Sequence, residues 1–444
     1  MTRVGIIGAG QLGQMLGQAG AGLDITCTFL DPSPSPPAAA TGPVIRAAYD
    51  DATALRELAA QSDVLTYEFE NVPVATLSGV ADVVPVLPPP AALAAAQDRL
   101  SEKRLFEELD IPIADYRAID NEADVHEAIA ALGLPLVLKT RRFGYDGKGQ
   151  VVLRSASQVS AALAGLPDAP LIAEQWIAFD REVSAIGVRS ADGATRFYPL
   201  TENEHRDGIL RISRAPATSP GLAERANACV GALLARLDYV GVLALEFFVV
   251  GETLLANEFA PRVHNSGHWT IEGAATSQFE NHLRAVTGLP LGSTESSGHA
   301  AMVNLIGSLP PASRRAARSA ASSCTTTARQ HAAGASSATS RFARRQRQAA
   351  TNACGTWLPC CPRETPRTAG RDLAHGSCRV WAIKSGYTHA FRITRSPNFR
   401  LLRFHKHSRC PTWNISNSMQ QPFRPTPAIL IRVAPEQATR AREG

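Results

Sequence analysis

Ala256-Asn257-Glu258-Phe259-Ala260-Pro261-Arg262-Val263-His264-Asn265-Ser266-Gly267-His268-Trp269 follows an apolar run, Val240 to Val250, and the turn signal Gly251-Glu252. The apolar run carries a single acid, Glu246. The pattern predicts a strand, a short loop, a second strand, and then a polar loop holding Arg262, His264, Asn265 and His268. A carboxylate inside each strand of a hairpin is costly unless a cation lies beside it. Hard divalent ions such as magnesium take oxygen ligands and are commonly held by one or two carboxylates plus substrate phosphates. A surface hairpin with two solvated acids is the plain alternative, but apolar residues flank Glu246 on both sides. Glu246 and Glu258 therefore read as the metal end of an ATP-using site. For both to face one way, the hairpin needs an odd-numbered loop, or a bulge, around residues 251–253.

Outward from this segment the composition divides the 444 residues in two. Residues 1–310 hold 22 Lys and Arg against 36 Asp and Glu, whereas residues 311–444 hold 23 against 4. Net charge thus swings from −14 to +19. Six of eight cysteines lie beyond residue 310, leaving Cys27 and Cys229 before it. That usage fits a reduced, cytoplasmic protein without disulfides in the first part. Met1-Thr2-Arg3 leads straight into a strand, so no secretory leader is expected. No apolar run approaches the length of a membrane span.

Arg3 to Gly13 reads as a buried strand running into G-x-G-x-x-G, with a helix over residues 14–21. A second strand, Ile25 to Leu30, ends at Asp31, and a third, Val64 to Phe69, ends at Glu68-Phe69-Glu70-Asn71. This is the dinucleotide fingerprint with an acid in about the right place. The glycines alone say only that backbone comes close to something, most often an anion at a helix N-terminus. An NAD-dependent oxidoreductase is therefore the rival reading. Residues 83–90 then lead into one helix expected over residues 91–109.

The middle of the chain favours ATP. Leu134 to Lys139 is a short strand that buries a lysine, followed by Thr140-Arg141-Arg142-Phe143-Gly144-Tyr145-Asp146-Gly147-Lys148-Gly149-Gln150 and a strand from Val151. A glycine-rich cationic loop between two strands can close over phosphates. Residues 1–310 contain three lysines, Lys103, Lys139 and Lys148, against 19 arginines. Two of the three bracket this loop, which suggests a point-charge role. Glu174-Gln175-Trp176-Ile177 reads as a strand end able to meet an adenine edge through its backbone, and Glu182 starts a strand where ribose hydroxyls could lie. Residues 201–211 read as a polar loop with His205.

Taken together, these motifs resemble the ATP-grasp carboxylate–amine ligases. GAGQLGQML, YEFENV, FGYDGKGQ, FYPLTENEHRDGILR and NEFAPRVHNSGHWT resemble the N5-carboxyaminoimidazole ribonucleotide synthases of purine biosynthesis over about residues 3–310. The resemblance implies an α/β fold. It comprises a Rossmann-like pre-ATP-grasp domain (residues 1–95) and an ATP-grasp domain (96–310, core 103–287), with an atypical tail (311–444). It further implies that Arg99, Lys139, Gly144, Tyr145, Asp146, Gly147, Lys148, Gly149, Gln150, Glu174 to Ile177, Glu182, His205, Asn257 and Glu258 contact ATP. Glu246 and Glu258 would hold Mg²⁺ or Mn²⁺. Gly10, Gln11, Leu12, Glu70, Tyr145, Arg262, His264 and Asn265 would face the ribonucleotide, the glycine loop meeting its phosphate and not NAD. Lys148, Arg262 and His264 would serve the chemistry. Small-molecule partners (aminoimidazole ribonucleotide, bicarbonate, ATP), a homodimer, and neither membrane nor nucleic acid complete the expectation.

The chain departs from the family after Asn304-Leu305-Ile306-Gly307. Family members continue there into a strand-rich segment bearing an active-site lysine and a GRK-type motif, whereas here a basic Ser/Ala/Arg-rich stretch lacks hydrophobic periodicity. Aromatic residues are not interleaved with the basic run 314–347, and Cys360-Cys361 and the scattered histidines lack zinc spacing. Disorder or a change of reading frame is the expectation. Taking each codon's first two bases behind the preceding codon's third across residues 324–341 allows Leu-His-Asp-Tyr-Gly-Lys-Ala-Ala-Arg-x-Gly-Arg-Lys-Leu-Gly-His-Val-Thr. That string resembles the missing segment, lysine and GRK included.

Overall fold

In the computed structural model, residues 1–144, 149–217 and 219–304 are described, together with the backbone of five later strands. The N-terminal domain is a parallel sheet in the order β3-β2-β1-β4. Its strands are β1 (Thr2–Ile7), β2 (Ile25–Leu30), β3 (Val44–Ile45) and β4 (Val64–Tyr67). Around it lie α1 (Gln11–Ala21), α2 (Ala52–Ala60) and α3 (Val74–Ser78). Continuous apolar strands such as β4, buried at every position, are what a sheet covered on both faces requires.

The single helix expected over residues 91–109 is two, α4 (Pro90–Gln97) and α5 (Arg99–Glu108). Asp98 between them is extended, and its carboxylate accepts from the Leu100 main-chain N–H at 3.0 Å, capping α5. The same carboxylate takes two bonds from Arg141, at 3.0 and 2.7 Å, so the break is fixed from outside the helix as well. An Asp N-cap contributes about 1 kcal/mol to the helix it starts.

A second, antiparallel sheet runs β5-β8-β6-β7. It comprises β5 (Tyr116–Ile119), β6 (Leu136–Thr140), β7 (Gln150–Leu153) and β8 (Leu171–Gln175), covered by α6 (Glu122–Leu132) and α7 (Val159–Gly165). The large sheet carries the order β14-β13-β9-β11-β12-β15, with β10 (Thr195–Phe197) paired to β9 (Arg181–Arg189). Its other members are β11 (Thr201–Arg206), β12 (Ile209–Ala215), β13 (Gly241–Val250), β14 (Thr253–Ala260) and β15 (Ala300–Val303). Helix α8 (Pro220–Arg236) packs on β9, while α9 (Thr270–Gly273) and α10 (Gln278–Val286) complete the described helices.

Residues 201–211, read above as a polar loop, form the β11–β12 hairpin instead. The two-residue turn is Asp207-Gly208, with φ +55° and +72°. Both positive angles belong to the turn type whose twist matches paired strands, and Asp-Gly is its sequence signature.

His282 on α10 joins the first domain to the large sheet. Its Nε2 lies 2.8 Å from Thr66 Oγ1 on β4, and its Nδ1 accepts from the Val242 N–H of β13 at 3.2 Å. Beyond β15 the sheet continues through β16 (Thr326–Arg329), β17 (Cys378–Lys384), β18 (Tyr387–Ile393), β19 (Phe404–His405) and β20 (Thr426–Ala434), β20 pairing with β15. Most of residues 311–444, including the cysteine pair and all of the basic run 314–347 except β16, lies outside the described residues. Among the described residues no helix is long and apolar enough to cross a membrane.

Candidate active site

The hairpin β13–β14 turns through a two-residue loop, with Val250 opposite Thr253 and Gly251 at φ +57°. An even loop on its own would set Glu246 and Glu258 on opposite faces. The register shifts one residue between Leu245 and Phe247: Phe247 faces Ala256, but Leu245 faces Phe259. This bulge, at the far end of the hairpin and not at residues 251–253, moves Glu258 to the face of Glu246.

Consecutive side chains of α5 hold the bulged main chain. Lys103 Nζ donates to the Asn257 carbonyl at 2.8 Å, and Glu102 Oε1 accepts from the Phe259 N–H at 2.7 Å. Lys103 is 1% exposed and Glu102 2%. The sequence reading named Lys103 only as a rare lysine and missed its role. The signal was an i, i+1 Glu-Lys pair set on the apolar side of α5, beside Leu105 and Phe106.

Cations and acids then alternate across the site. Lys139 Nζ donates to Glu174 Oε2 at 2.8 Å, with Lys103 Nζ 3.8 Å from the same oxygen. Arg99 donates to Glu258 Oε2 at 2.8 Å and to the Gly144 carbonyl at 3.4 Å. Burial pushes the Glu174 carboxyl up, but Lys103 and Lys139 outweigh it and hold it at about 2. Glu174 is thus the counter-ion of Lys139, a relationship its reading as a strand end beside adenine did not include.

The two strand acids titrate apart. Burial, then the charge of Glu258, pushes Glu246 up to about 7. For Glu258 the burial cost is outweighed by Arg99 and Lys139, which hold it at about 2. Two like-charged carboxylates on one face resist joint ionisation until a cation joins them. Asn257 Oδ1, beside Glu258, is buried with no hydrogen-bond partner among the described residues. Paired carboxylates and a spare amide oxygen are the oxygen donors a hard divalent cation takes, so the residues fit Mg²⁺. No group of three or more His, Cys, Asp or Glu placed to hold a metal occurs among the described residues, so these side chains alone would not fill a coordination shell.

On the other flank, His205 Nδ1 lies 2.7 Å from Glu182 Oε2. Burial lowers the His205 pKa, but Glu182 and Glu246 outweigh it and raise it overall. Arg262 reaches Glu70 of the first domain at 2.9 Å, and His264 Nε2 lies 3.6 Å from Glu246 Oε1. Burial, with Arg262 adding to it, pushes His264 down to about 3. Asn265 Oδ1 is buried and without a partner among the described residues.

In the glycine loop of the first domain, the Gly10 N–H donates to Glu68 Oε1 at 2.6 Å, and the Ala9 N–H to Asp31 at 2.9 Å. A Cβ on Gly8 would lie 2.8 Å from the Glu68 side chain, so the glycines here admit a carboxylate of the chain itself. Asp31 also accepts from Tyr49 Oη at 2.7 Å, so it braces the loop in the position where a dinucleotide fold would present it to ribose. Gln11 Nε2 is buried without a partner among the described residues, and Leu12 packs against the adjoining core.

The structure thus gathers Arg99, Lys139, Glu174, Glu246, Asn257 and Glu258 in one network, with Glu182 paired to His205 and Arg262 and His264 closing the side toward Glu70. Gly144 contributes its carbonyl to Arg99, while Gly149, at φ +70°, turns into β7, which Gln150 begins. Gln175 ends β8, and Trp176, 40% exposed beneath the Arg154 guanidinium, precedes Ile177 in the linker to β9. Tyr145, Asp146, Gly147 and Lys148 lie outside the described residues.

Comparison with known proteins places the two domains in named families. Residues 104–279 match the ATP-grasp domain family, and residues 1–97 match the ribonucleotide synthetase preATP-grasp domain. An N5-carboxyaminoimidazole ribonucleotide synthase of Pseudomonas aeruginosa is 54% identical over 312 residues, covering 70% of this chain and 86% of that protein. The chain belongs to the N5-carboxyaminoimidazole ribonucleotide synthase family.

Another synthase of this family, from Brucella melitensis, is 52% identical over 311 residues, again 86% of that protein. The crystal structure of the N5-carboxyaminoimidazole ribonucleotide synthetase of Thermus thermophilus superposes with a TM-score of 0.67 at 51% identity, covering 70% of this chain and 85% of that one. The synthase of Aspergillus clavatus, solved in complex with ADP and aminoimidazole ribonucleotide, gives a TM-score of 0.67 at 32% identity, covering 76% and 90%. Membership in this family settles the choice between an ATP-grasp ligase and an NAD-dependent oxidoreductase in favour of the ligase.

Proposed function

We propose that this chain's first 304 residues are built for ATP-dependent carboxylation of aminoimidazole ribonucleotide by bicarbonate, giving the N5-carboxy product, ADP and phosphate. The observation that carries the reading is the bulge that sets Glu246 and Glu258 on one face beside Arg99 and Lys139. Bicarbonate is a poor electrophile at neutral pH. Phosphoryl transfer from ATP converts it to carboxyphosphate, whose carbon, directly or as released carbon dioxide, the ribonucleotide's amine captures. Mg²⁺, held by Glu246 and Glu258, would neutralise phosphate charge. Lys139 and Arg99 supply fixed positive charge along the same edge, and Arg262 and His264 face the ribonucleotide with Glu70. Positioning and electrostatic stabilisation account for such a reaction without a covalent nucleophile. The glycine loop 144–150, with Lys148, would exclude water from the labile intermediate.

A second reading rests on a separate observation. The similarity to the Pseudomonas relative spans 312 residues and leaves 14% of that protein unmatched, while the charge of this chain reverses after residue 310. The shifted-frame string across residues 324–341 carries the expected lysine. On this reading the chain is a frame-altered member that binds ATP but carboxylates poorly, and residues 311–444 are not a native domain. Phosphate release with ATP, Mg²⁺, bicarbonate and aminoimidazole ribonucleotide, each omitted in turn, tests the first reading. The same assay on the gene with its frame restored tests the second. Thermal protection by NAD and not by ATP would overturn both.

A further inference from the structure

Behind His264 runs a line of buried polar side chains that the reaction above leaves unused. Ser184 lies on β9, Asn203 on β11, Ser213 on β12, and Ser266 two residues past His264. The three serines have no exposed surface, and Asn203 has 6%. Ser213 Oγ lies 2.7 Å from Asn203 Oδ1, and Asn203 Nδ2 2.8 Å from Ser184 Oγ. Ser184 Oγ lies 2.7 Å from Ser266 Oγ, which is 2.9 Å from His264 Nδ1. The opposite ring nitrogen, Nε2, is the one facing Glu246 Oε1 at 3.6 Å.

One group sets the direction of the whole line. The main-chain N–H of Ser266 points at His264 Nδ1 at 3.4 Å, and an N–H can only donate. Nδ1 is then the acceptor, and the ring proton sits on Nε2. Ser266 has one hydroxyl hydrogen, which goes to Nδ1, so Ser266 accepts from Ser184. Ser184 in turn accepts from Asn203, whose amide turns its NH₂ to Ser184 and its carbonyl to Ser213. Reversing any member would set two donors or two acceptors face to face in a buried place, where a lost hydrogen bond costs about 1–3 kcal/mol.

We propose that Ser266, Ser184 and Asn203 are positioning residues that hold His264 as the Nε2–H tautomer. The ring then offers a donor, and not a base, toward the Glu246 edge of the site. A donor there suits the anionic oxygens of the phosphorylated or carboxylated species, as hydrogen bonds aimed at developing charge do. The inference rests on the reading of His264 as a residue facing the ribonucleotide.

Nitrogen-15 NMR of the full chain labelled at histidine reads the tautomer directly, with His264 assigned by the signal lost in His264→Asn. The Nε2–H pattern is expected in the unmodified chain. Ser266→Ala should give mixed tautomers and lower kcat roughly tenfold, the worth of one buried hydrogen bond, with KM for ATP unchanged. Ser184→Ala, one step further back, should do the same more weakly and serves if Ser266→Ala does not fold. An Nδ1–H pattern in the unmodified chain, or an unchanged pattern and kcat in both variants, would overturn the proposal. Unchanged phosphate release in His264→Asn would instead remove the reading of His264, leaving the tautomer result to stand by itself.

Discussion

Lys103, 1% exposed on α5, donates from Nζ to the carbonyl of Asn257 at 2.8 Å, the residue that precedes the acid Glu258. The carbonyl belongs to the bulge that turns Glu258 toward Glu246, and the same ammonium is 3.8 Å from Glu174, the partner of Lys139. One buried cation thus ties the register of the strand that carries Glu258 to Lys139 on β6. Lys103→Met should cost about 3 kcal/mol of stability, because it strands part of the Glu174 charge and a strand carbonyl. It should also raise the Mg²⁺ concentration giving half-maximal phosphate release. Urea unfolding and a Mg²⁺ titration check both. An unaltered Mg²⁺ requirement in a folded variant would show that the bulge holds itself.

Glu258→Gln keeps the shape and removes the charge that Arg99 pairs with. The expected outcome is phosphate release reduced at least about a hundredfold, the scale on which a lost electrostatic stabiliser acts, with near-native thermal unfolding. Turnover within a few-fold of the unmodified chain would remove Glu258 from the metal site.

His282 predicts a pH-dependent loss of stability that is independent of substrate. It is fully buried between Thr66 and the Val242 N–H, and burial pushes its pKa down to about 4. Below the unfolded value of about 6.5 the unfolded chain takes up a proton that the folded chain does not. Stability is therefore whole above pH 6.5 and falls as pH drops toward 4, by about 3 kcal/mol in all. Urea unfolding from pH 7 to 4 should show that slope reduced in His282→Gln. An identical slope in the variant would assign the loss to other groups.

How much of this was legible in the sequence differs from site to site. The acids Glu246 and Glu258 were visible because each interrupts an apolar strand, and an unpaired charge there has no cheap explanation. Their shared face was not, since a bulge leaves no residue signature and is stabilised by Lys103 and Glu102 from a distant helix. The β11–β12 hairpin carried its signal, Asp207-Gly208, but acidic and basic residues on both sides hid the alternation. The break at Asp98 was masked because the apolar spacing of a helix continues across it. The ladder from Ser213 to His264 joins residues far apart in the chain, and small hydroxyls at such separations give no pattern along it.

The tail offers a test on the gene itself. If residues 311–444 arise from a shifted frame, resequencing from independent clones should find one inserted or deleted base near codon 310. Restoring it should yield the lysine and GRK segment that the alternative codons spell. Independent reads that all keep the present frame would refute the shift.

Transfer of labelled carbon from bicarbonate into aminoimidazole ribonucleotide tests the central claim most directly. With ATP and Mg²⁺, the frame-restored chain should form the labelled N5-carboxy product in step with ADP, and lose it on Glu246→Gln or Glu258→Gln. Carbon transfer that proceeds without ATP, or survives both substitutions, would contradict the account.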